Sequence, residues 1–314
     1  MFRGDLMKYD VCVLGGCSVD RNFYQNQDGT YNQVANMIVP GGKGNNQAVA
    51  AARAGGRVTL ITRIGNDTIG DDIYSNLLSN GIDTSNVEVI DGLGNDYANI
   101  YINAYDKDNT IERFGGAIDS FTPDMITAHQ DAILNSSIVV CQLKCPIEVT
   151  EALIEFCHKN QKTLILTPCR PKKLIGKFDL IDKVSLITCN EEECKTIFGT
   201  DDLDACVTRY PNKLIVTLGE RGVMYHNGAE IVRIPALDVP VLDTTGAGDT
   251  LNGNLAYLLS QGWSLDAALD RAQYASAMKI QVQSAQAGMP TQEQLTKFIA
   301  ASPARKNDPN KKTY

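Results

Sequence analysis

The sequence predicts an α/β domain: a largely parallel β-sheet with helices on both faces, plus a small β lid. Two observations carry this. Short apolar, β-branched runs alternate with helix-like stretches along most of the chain, which is the pattern of βαβ units around a sheet buried on both sides. Two segments, about 21–40 and 97–114, break that rhythm and have no place in the parallel sheet.

Strands are expected at 11–14, 58–61, 138–141, 163–167, 186–188 and 214–218, and helices at 45–54, 69–80, 146–160, 191–198 and 250–261. The second rhythm-breaking segment reads as a hairpin, two alternating runs joined by a turn at 106–109. Such inserted strands serve either as a flap over the ligand site or as an edge that helps association, and the two roles are compatible. Residues 302–314 are polar, basic and Pro-containing, and are expected to be mobile. No repeat or low-complexity segment interrupts the 314 residues, so one domain with a lid is expected.

Composition narrows the function. The formal net charge of −8 argues against a general nucleic-acid surface, which needs excess Lys and Arg. The first residues lack the apolar core of a signal peptide, and no run of about 20 apolar residues is present. A cytoplasmic protein without membrane or nucleic-acid partners is expected. The nine cysteines (12, 17, 141, 145, 157, 169, 189, 194 and 206) form no tandem C-x-x-C pair, and several sit inside apolar runs. They read as buried, reduced thiols rather than a metal cluster.

The chemistry concentrates in four places. No P-loop or dinucleotide fingerprint is present: Gly42-Lys43 is followed by Gly44, and Gly246-Ala247-Gly248 by Asp249. That second run belongs to D-T-T-G-A-G-D (243–249), between an apolar run and a stretch whose Leu251, Leu255, Leu258 and Leu259 share one helical face. Small residues admit a ligand to the backbone, and the unpaired N–H groups of a helix start favour an anion. Asp249 then stands beside that anion, where a carboxylate can take the proton of an attacking hydroxyl. A helix N-cap would explain one Asp, but not Gly-Ala-Gly between two.

The run Pro40-Gly41-Gly42-Lys43-Gly44-Asn45-Asn46 is a second loop-to-helix turn, in which Lys43 and Asn46 can hydrogen-bond hydroxyls. Asn190 and Glu193, three apart, suit a hydrated Mg²⁺ and a phosphate, yet N-x-x-E is equally the ordinary capping box. Thr217-Leu218-Gly219 ends a strand in a turn that can touch nucleotide phosphates.

In this order the four features resemble the PfkB/ribokinase-like carbohydrate kinases, from about residue 10 to residue 298. The resemblance implies a three-layer α/β/α ribokinase-like fold with a β lid that often dimerises, and ATP-dependent phosphorylation of a hydroxyl, primary by expectation, on a small sugar. It makes Asp249 the base and Gly246, Ala247 and Gly248 the anion hole. Asp20, Gly42, Lys43 and Asn46 would hold the sugar. Asn190, Thr217, Gly219 and Gly248 would contact ATP, and Glu193 would act on Mg²⁺ indirectly. Asp243, the Thr245 carbonyl and segment 284–288 would hold K⁺.

The departures bear on the substrate. Ser18 replaces an Asn in the early sugar motif, Lys144 replaces an acid in the Q-L-E run, and Thr167-Pro168-Cys169-Arg170 replaces N-P-A-P. Ser284 and Gly288 stand where Gly and Ser are usual in the K⁺ segment. Lys donates hydrogen bonds where an acid accepts them, so Lys144, with Arg170 and Arg113, suits a sugar acid or phosphosugar. The alternative is that Lys144 extends to solvent and leaves specificity alone. A nucleoside acceptor is a further alternative. A non-enzymatic sugar-binding role would predict a degraded motif, whereas Asp249, Gly-Ala-Gly and Asn190/Glu193 are intact.

Overall fold

Strand-forming runs of Val, Ile and Leu recur at short intervals, and each becomes a strand of one sheet. In the computed structural model, which describes residues 7–25, 30–102 and 109–301, the chain begins with β1 (Tyr9–Leu14), β2 (Ser18–Gln25), β3 (Tyr31–Gly41) and α1 (Lys43–Arg53). Next come β4 (Val58–Gly65), α2 (Thr68–Ser79), β5 (Val87–Ile90), β6 (Tyr97–Ile102) and β7 (Asn109–Phe114). The short α3 (Asp124–Ala128) and α4 (Gln130–Leu134) lead into β8 (Ser136–Gln142), α5 (Ile147–Lys159), β9 (Thr163–Thr167) and α6 (Phe178–Lys183). The rest is β10 (Leu186–Asn190), α7 (Glu191–Phe198), α8 (Leu203–Arg209), β11 (Leu214–Thr217), β12 (Val223–His226), β13 (Ile231–Ile234), α9 (Ala247–Ser260), α10 (Leu265–Lys279) and α11 (Gln292–Ala300).

The main sheet has the order β13-β12-β11-β10-β9-β8-β1-β4-β5, parallel from β11 to β5 and antiparallel at β11-β12-β13. Its side chains alternate between two cores. Cys12 and Leu14 of β1 face the core completed by α3 to α8, and Val11 and Val13 face the core completed by α1, α2, α9 and α10. These are the three expected layers. All nine cysteines are free, and eight of them are buried.

The two rhythm-breaking segments form a separate four-stranded sheet, β3-β2-β6-β7, in which the β6–β7 pair is the expected hairpin. The expected turn residues 106–108 and the tail 302–314 lie outside the described residues. Strands β12 and β13 and helix α10 escaped the sequence reading. Helix α10 buries Ala268, Ala272, Ala275 and Ala277 together with Gln273 and Lys279, so its hidden face has little apolar contrast.

Strand order reverses at β1, with β4 on one side and β8 on the other. Open α/β sheets bind ligands at the carboxyl ends of strands at such a point. Helices α1 and α9 meet beside it, because Gly253 lacks a side chain: a Cβ there would lie 2.5 Å from Gln47 O and from Ala50 Cβ.

Candidate active site

The close packing of α1 on α9 decides the surroundings of Asp249. This residue is the third of α9, whose N-cap is Gly246 (φ 80°) and has no side chain to offer. Asp249 does not cap its own helix. It is 5% exposed, and its Oδ2 accepts from Asn46 Nδ2 at 3.0 Å and its Oδ1 from Gln47 Nε2 at 2.9 Å. Lys43 Nζ stands 3.9 Å from Oδ1. The Asp249 charge pushes the Lys43 pKa up against the opposing effect of burial, so the ammonium stays protonated.

At the start of α9, Ala247 N donates to Thr244 O and Thr250 N to Gly246 O, whereas the N–H groups of Gly248 and Asp249 find no backbone acceptor among the described residues. A Cβ built on Gly248 meets nothing within 4 Å. Two free amides at a helix start, open space before them and a carboxylate beside them make a place for an anion next to a proton acceptor.

Asn190 and Glu193 do form the capping box: Asn190 Oδ1 accepts from Glu193 N at 2.8 Å, and Glu193 Oε2 from Asn190 N at 2.9 Å. This does not remove Glu193 from the site. Burial pushes its carboxyl up, Asn190 N–H and Lys43 oppose, and Asp249 adds to the rise. Its Oε1 remains available for the hydration shell of a cation. Thr217 and Gly219 line a cavity of about 410 Å³ that reaches Ala247 and Gly248 and is walled by Val223, Leu237, Val241 and Ile280. Gln273, also in its wall, has an Nε2 without a hydrogen-bond partner among the described residues.

Asp20 is half-buried on β2 of the small sheet, and its Oδ2 lies 3.4 Å from where a Cβ on Gly41 would stand. Burial pushes its carboxyl up, and the charges of Lys144 and Arg113 oppose that rise. Lys144 also acts on the buried Asp96 carboxyl. Gly42 caps α1 ahead of Lys43. Cys169 is within electrostatic reach of Lys43, Glu193 and Asp249, and burial pushes its thiol up to about 11, so it stays neutral. Arg170 is exposed at the head of the 3-10 turn Pro171–Leu174, and no ion pair among the described residues ties it to this cluster.

Around Asp243 the oxygens are already engaged. Oδ1 accepts from Thr245 N at 2.8 Å and Oδ2 from Ser284 N at 2.8 Å. The main-chain O accepts from Lys279 Nζ at 2.8 Å. Burial pushes the Asp243 carboxyl up, but the hydrogen bonds from Thr245 and Ser284 and the Lys279 charge outweigh it and leave it below the usual range.

Sequence reasoning passed over Gln47, Gln273 and Lys279, and gave no role to Gln142 of the Q-L-E run or to Gln286 of segment 284–288. Gln47 had a signal, since it lies four positions after Lys43 and so shares its helical face. Gln142 Nε2 donates to Gln47 Oε1 at 2.8 Å, and Gln286 Nε2 to Asn46 Oδ1 at 2.9 Å. Both lie in motifs the sequence singles out, but no local pattern names the distant side chain each one meets.

The description "pfkB family carbohydrate kinase" belongs to a family model that matches residues 8–292. The chain belongs to this family. It is 34% identical over 295 residues to a ribokinase of Bacillus subtilis, covering 93% of this chain and 99% of the relative. It is 30% identical over 304 residues to a deoxyribokinase of Salmonella typhi, again covering 93% and 99%. Among solved structures, a ribokinase from Cryptococcus neoformans in complex with ADP superposes with a TM-score of 0.78 at 27% identity, covering 91% of this chain and 98% of that one. This kinase is a phosphotransferase that phosphorylates a sugar using ATP. No helix among its described residues is long and apolar enough to cross a membrane.

Proposed function

We propose that Asp249 takes the proton of a primary hydroxyl on a small sugar as that oxygen attacks the γ-phosphorus of ATP. The bond from phosphorus to the β,γ-bridging oxygen breaks, ADP leaves, and solvent later removes the proton from Asp249. The observation that carries this reading is the Asp249 carboxylate, held by Asn46 and Gln47 beside the free amides of Gly248 and Asp249. Those amides and Lys43 stabilise charge on the transferring phosphoryl group.

Asp20 and Asn46 hold the other sugar hydroxyls, and the small sheet closes over them and excludes water. The base of ATP enters the apolar cavity by Thr217 and Gly219, where Gln273 Nε2 has a hydrogen bond to give. Mg²⁺ supplies charge neutralisation on the phosphates, and Glu193 with Asn190 would hold its hydration shell. The outer face of the small sheet would pair with a second copy, which sedimentation tests.

A panel of acceptors assayed for ADP release tests the substrate: a neutral pentose is expected to work best. One observation favours a second reading. Lys144 Nζ has no ion pair within 4 Å among the described residues, although Asp20 and Asp96 are in electrostatic reach. A sugar acid or phosphosugar would supply that partner. Faster turnover of such an acceptor than of the neutral pentose, reversed in Lys144→Glu, would establish the second reading. Best activity with the neutral pentose, unchanged by that substitution, would remove it.

A further inference from the structure

Lys279, the last residue of α10, is fully buried, 0% exposed. A buried ammonium persists only where oxygens replace its water. Its Nζ donates to Asp243 O at 2.8 Å and to Val282 O at 3.5 Å, with Asp243 Oδ2 at 3.8 Å. A K⁺ ion, which the resemblance implies on the Asp243 carboxylate, the Thr245 carbonyl and segment 284–288, would share that carboxylate with the ammonium. The residues present do not fit it. One ammonium already faces the one carboxylate, and both carboxylate oxygens accept backbone N–H groups. A second cation would lose its hydration on entering a buried, electrically balanced site, and would be repelled by Lys279.

We propose that the Lys279 ammonium acts as a tethered monovalent cation, positioning the anion-hole turn and making this kinase independent of potassium. The tether joins two segments that bear on catalysis. One is the turn from Asp243 to Gly246 that starts α9. The other is the loop from Ile280 to Met289, whose Ile280 O accepts the N–H groups of Leu242 and Asp243 at 2.8 and 3.1 Å. That loop enters the left-handed region at Ser284 (φ 88°), a conformation costly for a residue other than glycine. The N–H of Ser284 donates to Asp243, so the carboxylate that faces Lys279 also holds the strained residue. Two residues later, Gln286 donates to Asn46, and Asn46 donates to Asp249. Lys279 is thus a positioning residue: it touches no reacting atom and steadies both routes to Asp249.

The proposal rests on the kinase reading only for its rate measurement, so the test has arms that do not need turnover. Wild-type crystals soaked in rubidium chloride should show no anomalous peak at Asp243. Wild-type melting temperature and rate of ADP release should be the same in choline chloride and potassium chloride at equal ionic strength. Lys279→Ala opens space for an ion: in choline its rate should fall about tenfold or more, and potassium or ammonium should restore part of it and raise its melting temperature, as a ligand of the folded state does. Rubidium at Asp243 in the wild type, or a wild-type rate that rises about tenfold with potassium, overturns the proposal. So does a folded Lys279→Ala that loses nothing, or whose loss neither ion repairs. If that variant does not fold, the wild-type arms still decide. If no acceptor supports turnover, the kinase reading fails by itself while the rubidium and melting arms still judge Lys279.

Discussion

Asn46 donates to Asp249 Oδ2 at 3.0 Å across a sequence separation of 203 residues. The same amide accepts from Gln286, so one side chain couples α1, α9 and the loop after α10. The Asp249 carboxylate is therefore oriented from outside its own helix.

Asp249→Asn keeps the volume and the hydrogen-bonding reach but removes the proton acceptor. Turnover should fall by about 10²–10⁴, the usual contribution of a general base. Sugar binding, measured by calorimetry, should survive. Near-normal turnover would show that another group takes the proton.

Gln47→Leu removes one of the two donors to Asp249 and leaves Gln142 Nε2 without its partner. A buried polar group left unpaired costs about 1–3 kcal/mol of stability. Urea unfolding should show that loss, and kcat should drop further than KM rises, because the carboxylate is freed to rotate.

Two glycines two residues apart should answer oppositely. At Gly246 a Cβ would lie 2.5 Å from Ala285 O with φ at 80°, so Gly246→Ala should lower stability by about 1–2 kcal/mol or more. Gly248→Ala meets open space inside a helix and should be neutral or stabilising by up to about 1 kcal/mol. Its methyl group projects where the phosphate approaches, so turnover should fall in a protein that melts no lower.

The Asp20 carboxyl is pushed above its ordinary 3.8 by burial. The native state then binds the proton more tightly than the unfolded chain, so stability is lost as pH rises from about 3.8 through the raised native value. Asp20→Asn should melt higher than wild type at neutral pH, and the difference should vanish at pH values below the unfolded pKa. Sugar affinity should fall in the same variant. A melting difference that does not change with pH would show that burial of this carboxylate costs nothing.

Gln273→Leu removes a side-chain donor, unpaired among the described residues, from the wall of the cavity by Thr217 and Gly219. KM for ATP should rise about fivefold, equivalent to one neutral hydrogen bond, with KM for the sugar unchanged. An equal rise for both substrates would place Gln273 outside the nucleotide site.

Much of this was legible in the chain because it depends on local rules. The strands read at 163–167 and 186–188, the second running on to Asn190, the helix at 191–198 and the capping box at Asn190 follow from β-branched runs, helical spacing and cap chemistry. The reading of 97–114 as a hairpin followed from alternation alone. Helix α10 was invisible because alanines and buried polar residues blur its period.

The sequence by itself determined the α/β architecture, the glycine turn before α9 and the presence of an acid at its third position. Those are properties of neighbours along the chain. Only the tertiary structure decided that Asn46 and Gln47, rather than helix amides, hold Asp249, and that a lysine 36 residues away takes the oxygens beside Asp243. Pairings of that kind arise where packed helices bring distant side chains together: Gly253 lets α9 close on α1, and burial then obliges each polar atom to find a partner that no spacing rule names.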